Sequence, residues 1–234
     1  MKKFVLRDFE RPAKDIIEEF DKSDVSTVYE AQGKIGLMND SIKSINPGDA
    51  IVGPAVTVTC QSGDNLMIHA AIEICKPGDI LIVSVLGEVK SGMIGELIVK
   101  ALIRKGVKGV IIDGGIRDVK ELREMHFPIW SKYITSRGNT KNQAGWVNRE
   151  AVCGNVLVRP GDLIIADDDG IVVVAKEDFE DTLRLTRARE EKERKVMERI
   201  ANGEISMDFY ELRKILDEQD VFYATDEKEL YKFF

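Results

Sequence analysis

Cysteine is scarce in this chain of 234 residues, which has three widely spaced cysteines, Cys60, Cys75 and Cys153, and no C-x-x-C pair. This number and spacing predict neither a disulfide framework nor a zinc site, so we expect three buried thiols. No apolar run approaches the roughly 18 residues that a membrane-spanning helix needs. The N-terminal sequence MKKFVLRDFERP becomes charged too early for a signal peptide. We therefore expect a soluble cytoplasmic protein without a membrane partner.

An excess of positive charge is also missing, because 34 basic residues face 41 acidic ones and the formal charge is -7. This balance argues against a nucleic-acid partner. The glycine-rich motifs G-x-G-x-x-G and G-x-x-x-x-G-K-[ST] are absent as well, which counts against dinucleotide or ATP chemistry and against Rossmann-type methyl transfer. What the chain has is an apolar content of 44%, enough for one large core.

Hydrophobic patterning predicts alternating strands and helices in the middle of the chain. The predicted order is a strand at 55–59, a helix at 66–75, a strand at 80–86, a helix opened by Gly92 and Gly95 and closed at Gly106, and a strand at 110–112. We expect Gly53-Pro54 to form a kink or an edge at the start of the first of these strands. A β-α-β-α-β order favours parallel strands with right-handed crossovers.

The flanking segments have different patterns. Residues 12–21 and a segment starting at Ser26 predict two helices, and Ile129-Trp130 predicts a short strand. Residues 135–155 are polar and glycine-rich, as is common in functional loops. The next segment, 156–175, predicts short antiparallel strands, so a mixed α/β layered domain is expected.

A charged helix and an aromatic tail are predicted after this domain. Residues 177–201 have too thin an apolar stripe for a helix buried in its own domain, so it projects into solvent or lies on a neighbouring subunit. The tail regains aromatic residues and predicts docking, which leads us to expect an oligomer. These aromatic residues are Phe209, Tyr210, Phe222, Tyr223, Tyr231, Phe233 and Phe234.

The most informative stretch is GVKGVIIDGGIRD at residues 106–118. We expect its buried strand to stop at Asp113, where two glycines let the backbone turn and present Arg117 and Asp118. Unpaired amides at the start of the preceding helix and the Arg117 guanidinium would bind an anion. Asp118, with Glu96, would hold a hard divalent cation mostly through water. A small 2-oxo acid fits such a site, since the metal would stabilise its enolate.

Less specific readings remain open for several residues. Arg117 and Asp118 can be a surface pair in a turn, and Glu96 can simply complement the helix N-terminus. Asp64-Asn65 can cap a helix, and Lys141 is by default a solvated side chain. His69 is either a core or a pocket histidine, and together with His126 it makes a weak case for zinc. Asp167-Asp168-Asp169-Gly170 is interpreted as a hairpin turn rather than a metal cluster.

Several motifs in a fixed order resemble the RraA-like proteins, which include the 4-hydroxy-4-methyl-2-oxoglutarate aldolases. The motifs are GPAVTV, GDNLMIH, PGDILIV, GELIVKALIRKGVKGVIIDGGIRD, GWVN and RPGDLIIADDDGIVVV, between about residues 25 and 174, with NGEISMDFYELR extending the match. The resemblance implies a swivelling, phosphohistidine-domain-like β/β/α domain at 1–176. It also implies a helical extension at 177–234 that packs on a neighbouring subunit of a trimer or of a hexamer built from two trimers.

The implied activity is that of a class II pyruvate aldolase that uses Mg²⁺ or Mn²⁺. Such an enzyme cleaves 4-hydroxy-4-methyl-2-oxoglutarate or 4-carboxy-4-hydroxy-2-oxoadipate to pyruvate and a second 2-oxo acid, and decarboxylates oxaloacetate as a side activity. The same fold resembles regulators of ribonuclease activity, which act by protein contact without catalysis. Those are shorter and lack the charged C-terminal helix, so we favour the enzyme.

The resemblance also assigns residue roles. Asp118 would be the direct metal ligand, Glu96 would contact metal-bound water, and Arg117 would bind the pyruvyl oxygens and stabilise the enolate. The amides of Leu97 and Ile98 would take the substrate carboxylate. Asn65, Glu30 and Lys141 match positions that line the pocket, Lys141 being suited to a second carboxylate. A glutamate from a neighbour's C-terminal helix would complete the outer metal shell, with Glu193 favoured and Glu190 or Glu191 as alternates. The physiological substrate and the hydroxyl-deprotonating base stay open.

Overall fold

The computed structural model describes residues 2–87 and 91–231. Phe233 and Phe234, which were predicted to be docking aromatics, lie outside this part of the chain. The chain divides into two compact units, Met1–Arg187 and Ala188–Phe234. The boundary expected at 176/177 from the family resemblance stays a prediction.

The elements of the first unit alternate as the patterning predicts. The strands are β1 (Phe4–Val5), β2 (Lys43–Ser44), β3 (Ile51–Gln61), β4 (Ile80–Leu86), β5 (Gly92–Ile94), β6 (Gly109–Ile116), β7 (Ile129–Ile134), β8 (Trp146–Val147), β9 (Ala151–Cys153), β10 (Val156–Val158), β11 (Leu163–Ala166) and β12 (Ile171–Val174). The helices are α1 (Lys14–Phe20), α2 (Val25–Ala31), α3 (Leu66–Ile74), α4 (Glu96–Arg104), α5 (Val119–Glu124) and the first part of α6 (Phe179–Ala201).

The sheet has the strand order β1-β8-β3-β4-β6-β7-β2. Its centre is parallel, because β3 pairs with β4, β4 with β6 and β6 with β7 in the same direction. This confirms the parallel arrangement predicted from the β-α-β-α-β order. The helices α3, α4 and α5 are the crossovers that connect these strands.

Strand β3 exchanges its pairing partner halfway. Residues 51–54 pair antiparallel with β11, and residues 55–61 pair parallel with β4. The strand therefore begins at Ile51, four residues earlier than predicted, and Gly53-Pro54 lies inside it rather than at its start. A Cβ atom at position 53 would stand 2.5 Å from the Gly78 carbonyl oxygen, so glycine permits this close approach.

Two apolar layers lie on opposite faces of the central sheet. On one face, Ile68 of α3, Val99 of α4 and Leu122 of α5 belong to a single buried cluster with alternate residues of the central strands. On the other face, Trp130 packs in a cluster with Ile164 of the β11–β12 hairpin. This hairpin and the β9–β10 ribbon form a second β layer, which gives the β/β/α layering expected.

The two glycines of the IIDGGIRD stretch have another role than the one predicted. Strand β6 does not stop at Asp113 but continues to Ile116, with a register irregularity against β7 between Ile112 and Gly115. A Cβ atom on Gly115 would lie 2.4 Å from Cε2 of Tyr133 and 2.7 Å from the Ser91 carbonyl oxygen. The prediction of a sharp turn was wrong, because here glycine serves close packing between strands.

The helix before β6 also starts later than predicted. Gly92 lies in strand β5, and Gly95 is the N-cap of α4, so the helix begins at Glu96. Ile94, which falls within the predicted helix, is buried in β5, and Leu97 is 77% exposed. In α3, Met67 and Ile74 are buried, whereas Leu66 and Ile72 are only partly buried. Tertiary packing here overrides the local period.

The remaining predictions of turns and strands are largely confirmed. The hairpin prediction for Asp167 to Gly170 holds, because Ala166 pairs with Ile171 across the turn. Ile129 and Trp130 start β7. The polar segment 135–155 is not wholly irregular, since it contains β8 and β9. All three cysteines are buried free thiols, as expected.

The second unit is helical. It comprises the end of α6 followed by α7 (Ser206–Phe209), α8 (Leu212–Glu218) and α9 (Glu227–Leu230). Ion pairs along the exposed surface of α6 support it, as between Arg194 and Glu191 at 2.8 Å. Within the described residues no helix has the length and apolar content to cross a membrane.

Candidate active site

A cleft of about 100 Å³ lies at the carboxyl end of the parallel strands, next to the first turns of α3 and α4. It brings together several residues that were predicted separately. The lining residues are Asn65, His69, Gly92, Met93, Gly95, Leu97, Ile98, Arg117, Asn139 and Lys141.

Arg117 and Asp118 follow β6 directly and lie at this cleft. Asp118 has a left-handed backbone (φ 58°), which is uncommon outside glycine. Its Oδ2 accepts a hydrogen bond from the Glu96 amide at 3.1 Å and lies 3.5 Å from Nε of Arg117. Asp118 therefore turns back toward the start of α4 instead of capping its own helix α5.

Gly95 makes this arrangement possible. A Cβ atom at this position would lie 2.4 Å from Oδ2 of Asp118 and 3.1 Å from Nε of Arg117. Gly92 has a similar role, since its Cβ would lie 2.8 Å from Cβ of Arg117. Of the two glycines that were predicted to open the helix, Gly95 does so as its N-cap, and both also provide room for the Arg117-Asp118 pair.

The start of α4 presents free backbone donors to the cleft. The amide of Glu96 donates to Asp118, and that of Val99 donates to the Gly95 carbonyl oxygen. Among the described residues, 2–87 and 91–231, no backbone carbonyl oxygen accepts a hydrogen bond from the amides of Leu97 and Ile98. Both residues line the cleft, so two donors at the positive end of a helix dipole face the space beside Arg117.

The carboxylates next to the cleft are few. Glu96 forms an ion pair with Lys100 at 2.5 Å, and its side chain retains 34% exposure. Oδ1 of Asp118 makes no hydrogen bond to any residue in the described part of the chain. No group of three or more metal-ligating side chains occurs among the described residues. One open carboxylate beside a second one suits a hard divalent ion such as Mg²⁺ that keeps most of its water.

Two buried amides contribute acceptors. Nδ2 of Asn65 donates to the Met93 carbonyl oxygen at 3.0 Å, and Nδ2 of Asn139 donates to that of Gly92 at 2.6 Å. These carbonyl partners fix the orientation of both amides. Oδ1 of each residue is buried and has no hydrogen-bond partner among the described residues, so each can accept a hydrogen bond from a ligand in the cleft.

A buried carboxylate positions Lys141. Asp64 is 1% exposed and holds the loop around Lys141, accepting hydrogen bonds from Oγ1 of Thr140 at 2.6 Å and from the amides of Asn142 and Gln143 at 2.7 and 3.1 Å. Burial alone raises the pKa of Asp64, but these hydrogen bonds outweigh it and the net pKa is lowered. Asp64 also accepts from the Leu66 amide at the first position of α3, whereas Asn65, the N-cap residue, makes no side-chain capping bond to a described residue.

The sequence left His69 as either a core or a pocket histidine, and the structure places it in the pocket. It follows Asn65 by one helical turn in α3, and its side chain is exposed at the cleft. Partial desolvation, with a smaller effect of the Lys141 charge, lowers its pKa from the usual 6.5. His126, by contrast, is exposed and lies outside the set of residues that line the cleft.

Not all predicted site residues lie at the cleft of one chain. Glu30 is exposed on α2, a helix that packs on β12. On α6, Glu193 pairs with Arg189 at 2.9 Å, and hydrogen bonds from Arg194 and then Lys195 lower the pKa of Glu191 to about 2. Glu190 lies on the same helix. Asn139 lines the cleft but was not predicted, because its contact with Gly92 bridges 47 positions of the chain.

Comparisons with known proteins agree with this architecture. The family model RraA-like (Aldolase/RraA) matches residues 21–173. A Halalkalibacterium halodurans protein that is provisionally named 4-hydroxy-4-methyl-2-oxoglutarate aldolase is 31% identical over 176 residues, covering 75% of this chain and 84% of that protein.

Solved structures show the same fold. Streptomyces coelicolor RraAS2, described as an unusual member of the RNase ES inhibitor RraA protein family, superposes with a TM-score of 0.73 at 28% identity, covering 81% of this chain and 99% of that one. An uncharacterized protein from Pseudomonas syringae pv. tomato superposes with a TM-score of 0.74 at 25% identity, covering 84% and 97%. The motifs, the β/β/α layering and these matches agree, and the chain belongs to the RraA-like family.

Proposed function

We propose that this protein is a divalent-metal-dependent lyase of the class II pyruvate aldolase type. Its substrates would be 4-hydroxy-2-oxo diacids such as 4-hydroxy-4-methyl-2-oxoglutarate or 4-carboxy-4-hydroxy-2-oxoadipate, with oxaloacetate decarboxylation as a side activity. The observation that carries the proposal is that Arg117 and the free amides of Leu97 and Ile98 line one cleft, with the Asp118 carboxylate beside Arg117. The similarity to the H. halodurans protein supports the same reaction class.

Each group has a role in this reaction. The amides of Leu97 and Ile98 bind the carboxylate of the 2-oxo acid, and Arg117 binds its oxygens and stabilises the enolate. Asp118 is the direct ligand of Mg²⁺ or Mn²⁺, and Glu96 contacts a water of that ion. The ion would supply Lewis-acid stabilisation of negative charge on the keto oxygen. Asn65 and Lys141 bind the far end of the substrate, Lys141 through a second carboxylate.

Substitution of Asp118 tests the proposal. In the presence of Mg²⁺ or Mn²⁺ the wild-type protein should release pyruvate from 4-hydroxy-4-methyl-2-oxoglutarate, which a coupled lactate dehydrogenase assay measures. Asp118→Asn removes the only charged ligand assigned to direct contact with the ion, so kcat/KM should fall by about 100-fold or more. A chelator should have the same effect on the wild-type enzyme.

The control for this substitution is Asp40→Asn, because Asp40 is an exposed carboxylate outside the cleft. Its activity should equal that of the wild type. Undiminished pyruvate release by the Asp118 variant would reject the metal-dependent assignment.

We propose further that a second copy of the chain completes the site, in a trimer or a hexamer built from two trimers. In a single chain Asp118 and Glu96 are carboxylates beside the cleft, and the acidic helix α6 offers Glu193, with Glu190 and Glu191 as alternates. Glu30 would likewise line the pocket of a neighbour. Replacing each of the three α6 glutamates singly by glutamine should raise the metal concentration needed for half-maximal activity in one variant only. Equal behaviour of all three would contradict the role of this helix.

A second candidate function is protein-binding regulation of ribonuclease activity without catalysis. The observation that favours it is the close superposition on S. coelicolor RraAS2. Capture of a purified ribonuclease E-type enzyme together with absence of pyruvate release from every 2-oxo acid tested would support this function over the lyase. The cytoplasmic location stays a prediction under both functions.

A further inference from the structure

The proposed cleavage requires a proton acceptor that has no assigned residue so far. Breaking the C3–C4 bond of a 4-hydroxy-2-oxo acid leaves its electron pair on the pyruvate enolate. The oxygen at C4 must lose its proton at the same time, so that its electrons form the new carbonyl group. An acceptor for this proton has to reach the cleft.

The residues that line the cleft leave one candidate. The titratable side chains among them are His69, Arg117 and Lys141, and the two cations donate hydrogen bonds rather than accept them. Of the nearby carboxylates, Asp118 is bonded to the Glu96 amide, and Glu96 is paired with Lys100. Both are also assigned to the metal ion, which leaves the imidazole of His69.

The position of His69 suits this role. It lies four residues after Asn65, the N-cap residue of α3, and both residues line the cleft. The Asn65 amide donates to the carbonyl oxygen of Met93, which lines the cleft as well. Within residues 2–87 and 91–231 the ring of His69 forms no hydrogen bond, so both of its nitrogens are open to a ligand.

We propose that His69 accepts the proton of the C4 hydroxyl of the substrate. This inference rests on the proposed lyase function. The O–H bond breaks toward a ring nitrogen, the C4–O electrons form the carbonyl group of the second 2-oxo acid, and the C3–C4 pair becomes the enolate of pyruvate. The imidazolium then releases its proton to solvent, which regenerates the neutral ring, and the enolate takes up a proton at C3 from solvent.

The charges around the ring support its neutral form. Lys141 from the 137–143 loop and Arg117 from the end of β6 are the charged side chains that line the same cleft, while α4 presents the apolar Leu97 and Ile98 there. Desolvation and the Lys141 cation lower the pKa of His69 below 6.5, so a ring nitrogen is unprotonated at neutral pH. The acidic limb of kcat/KM should therefore lie below pH 6.5.

The test compares two reactions of one variant. Decarboxylation of oxaloacetate forms the same enolate but removes no hydroxyl proton. His69→Gln should lower kcat for cleavage of 4-hydroxy-4-methyl-2-oxoglutarate by about 100-fold or more, and it should leave oxaloacetate decarboxylation within about threefold of the wild type. The variant should also lose the acidic limb of the cleavage pH profile. The control is His126→Gln, since the chain has two histidines and His126 is exposed outside the cleft.

The possible outcomes distinguish a failure of the His69 proposal from a failure of the proposed lyase function. Unchanged cleavage by His69→Gln in an otherwise active enzyme overturns the inference alone. An equal loss of both reactions also overturns it, because it shows a role in folding or binding. A wild-type protein that acts on neither substrate overturns the lyase function, and this inference with it.

Discussion

Asp64 is the residue on which the local order of the cleft depends. It connects the loop that carries Lys141 to the start of α3, through hydrogen bonds from Thr140, Asn142 and Leu66. The local sequence of neither the Lys141 loop nor the start of α3 predicts this contact. The arrangement shows how a buried carboxylate can position a cation that it does not pair with.

Substitution of Asp64 should be costly. Asp64→Asn replaces two acceptor oxygens by one, leaving a buried amide donor unpaired, so the free energy of unfolding should fall by about 1–3 kcal/mol. Urea denaturation measures this change. The KM for a 2-oxo diacid should rise as well, because Lys141 loses its position. Asp40→Asn should change neither quantity, and an Asp64 variant with wild-type stability would contradict the role of these hydrogen bonds.

The pH dependence of this contribution follows from the lowered pKa of Asp64. A carboxyl group whose pKa is lower in the folded state contributes stability that is fully present above its unfolded pKa of about 3.9. The contribution is lost as the pH falls through the folded pKa. The stability difference between wild type and Asp64→Asn should therefore be constant near pH 7 and shrink below about pH 4.

Arg117 and Lys141, both predicted from the sequence, line the cleft, and Asp118 lies beside Arg117, whereas Asn139 and the contact of Gly95 with Asp118 were not predicted. The Arg117-Asp118 pair follows a buried strand, and its family motif is local. Gly95, in contrast, is required because Asp118, 23 positions later in the chain, folds back onto it. A contact between segments that are far apart in sequence leaves no periodic signal.

At the scale of elements, helix α6 differs between its two halves. Its first part belongs to the α/β unit, where Thr182 and Thr186 are buried and Leu183 packs against the cluster around Phe20. Arg187 ends this part, donating to the carbonyl oxygen and to Oε2 of Glu19, both at 2.7 Å. The remainder of the helix is rich in exposed ion pairs. One uniform apolar stripe is therefore not required along its whole length.

Removal of the Arg187 guanidinium should weaken the contact between α6 and α1. Arg187→Gln loses the ion pair with Glu19, so amide hydrogen exchange in α1 and at 179–187 should become about two- to fivefold faster. Exchange at 191–201 should stay unchanged. The matched control is Arg184→Gln in the same helix, because the ion pair of Arg184 with Asp181 lies within the helix. Equal effects of both substitutions would show that the contact with α1 does not stabilise the helix.

At the scale of the whole molecule, the three thiols report on the integrity of the core. Cys60, Cys75 and Cys153 are buried, and burial raises the pKa of each thiol to about 12. The reactive thiolate is therefore disfavoured in the folded state.

We expect no reaction of the native protein with Ellman's reagent at pH 8, because burial excludes the reagent and keeps the thiols protonated. After unfolding in guanidinium chloride, all three thiols should react, and absorbance at 412 nm measures their number. The unfolded protein is the control for reagent access. Rapid reaction of one thiol in the native protein would mean that the surrounding core opens locally.

The sequence by itself determined the order of strands and helices, the burial of the central strands and the family, because these depend on local periodicity and on motifs within short segments. The tertiary structure decided where the glycines are needed, which amides face the cleft, how Asp64 holds the loop of Lys141, and that β3 pairs with β4, β8 and β11. These features arise from contacts between residues that are distant in the chain. Packing and hydrogen bonding across such distances select among local conformations that the sequence pattern leaves equally open.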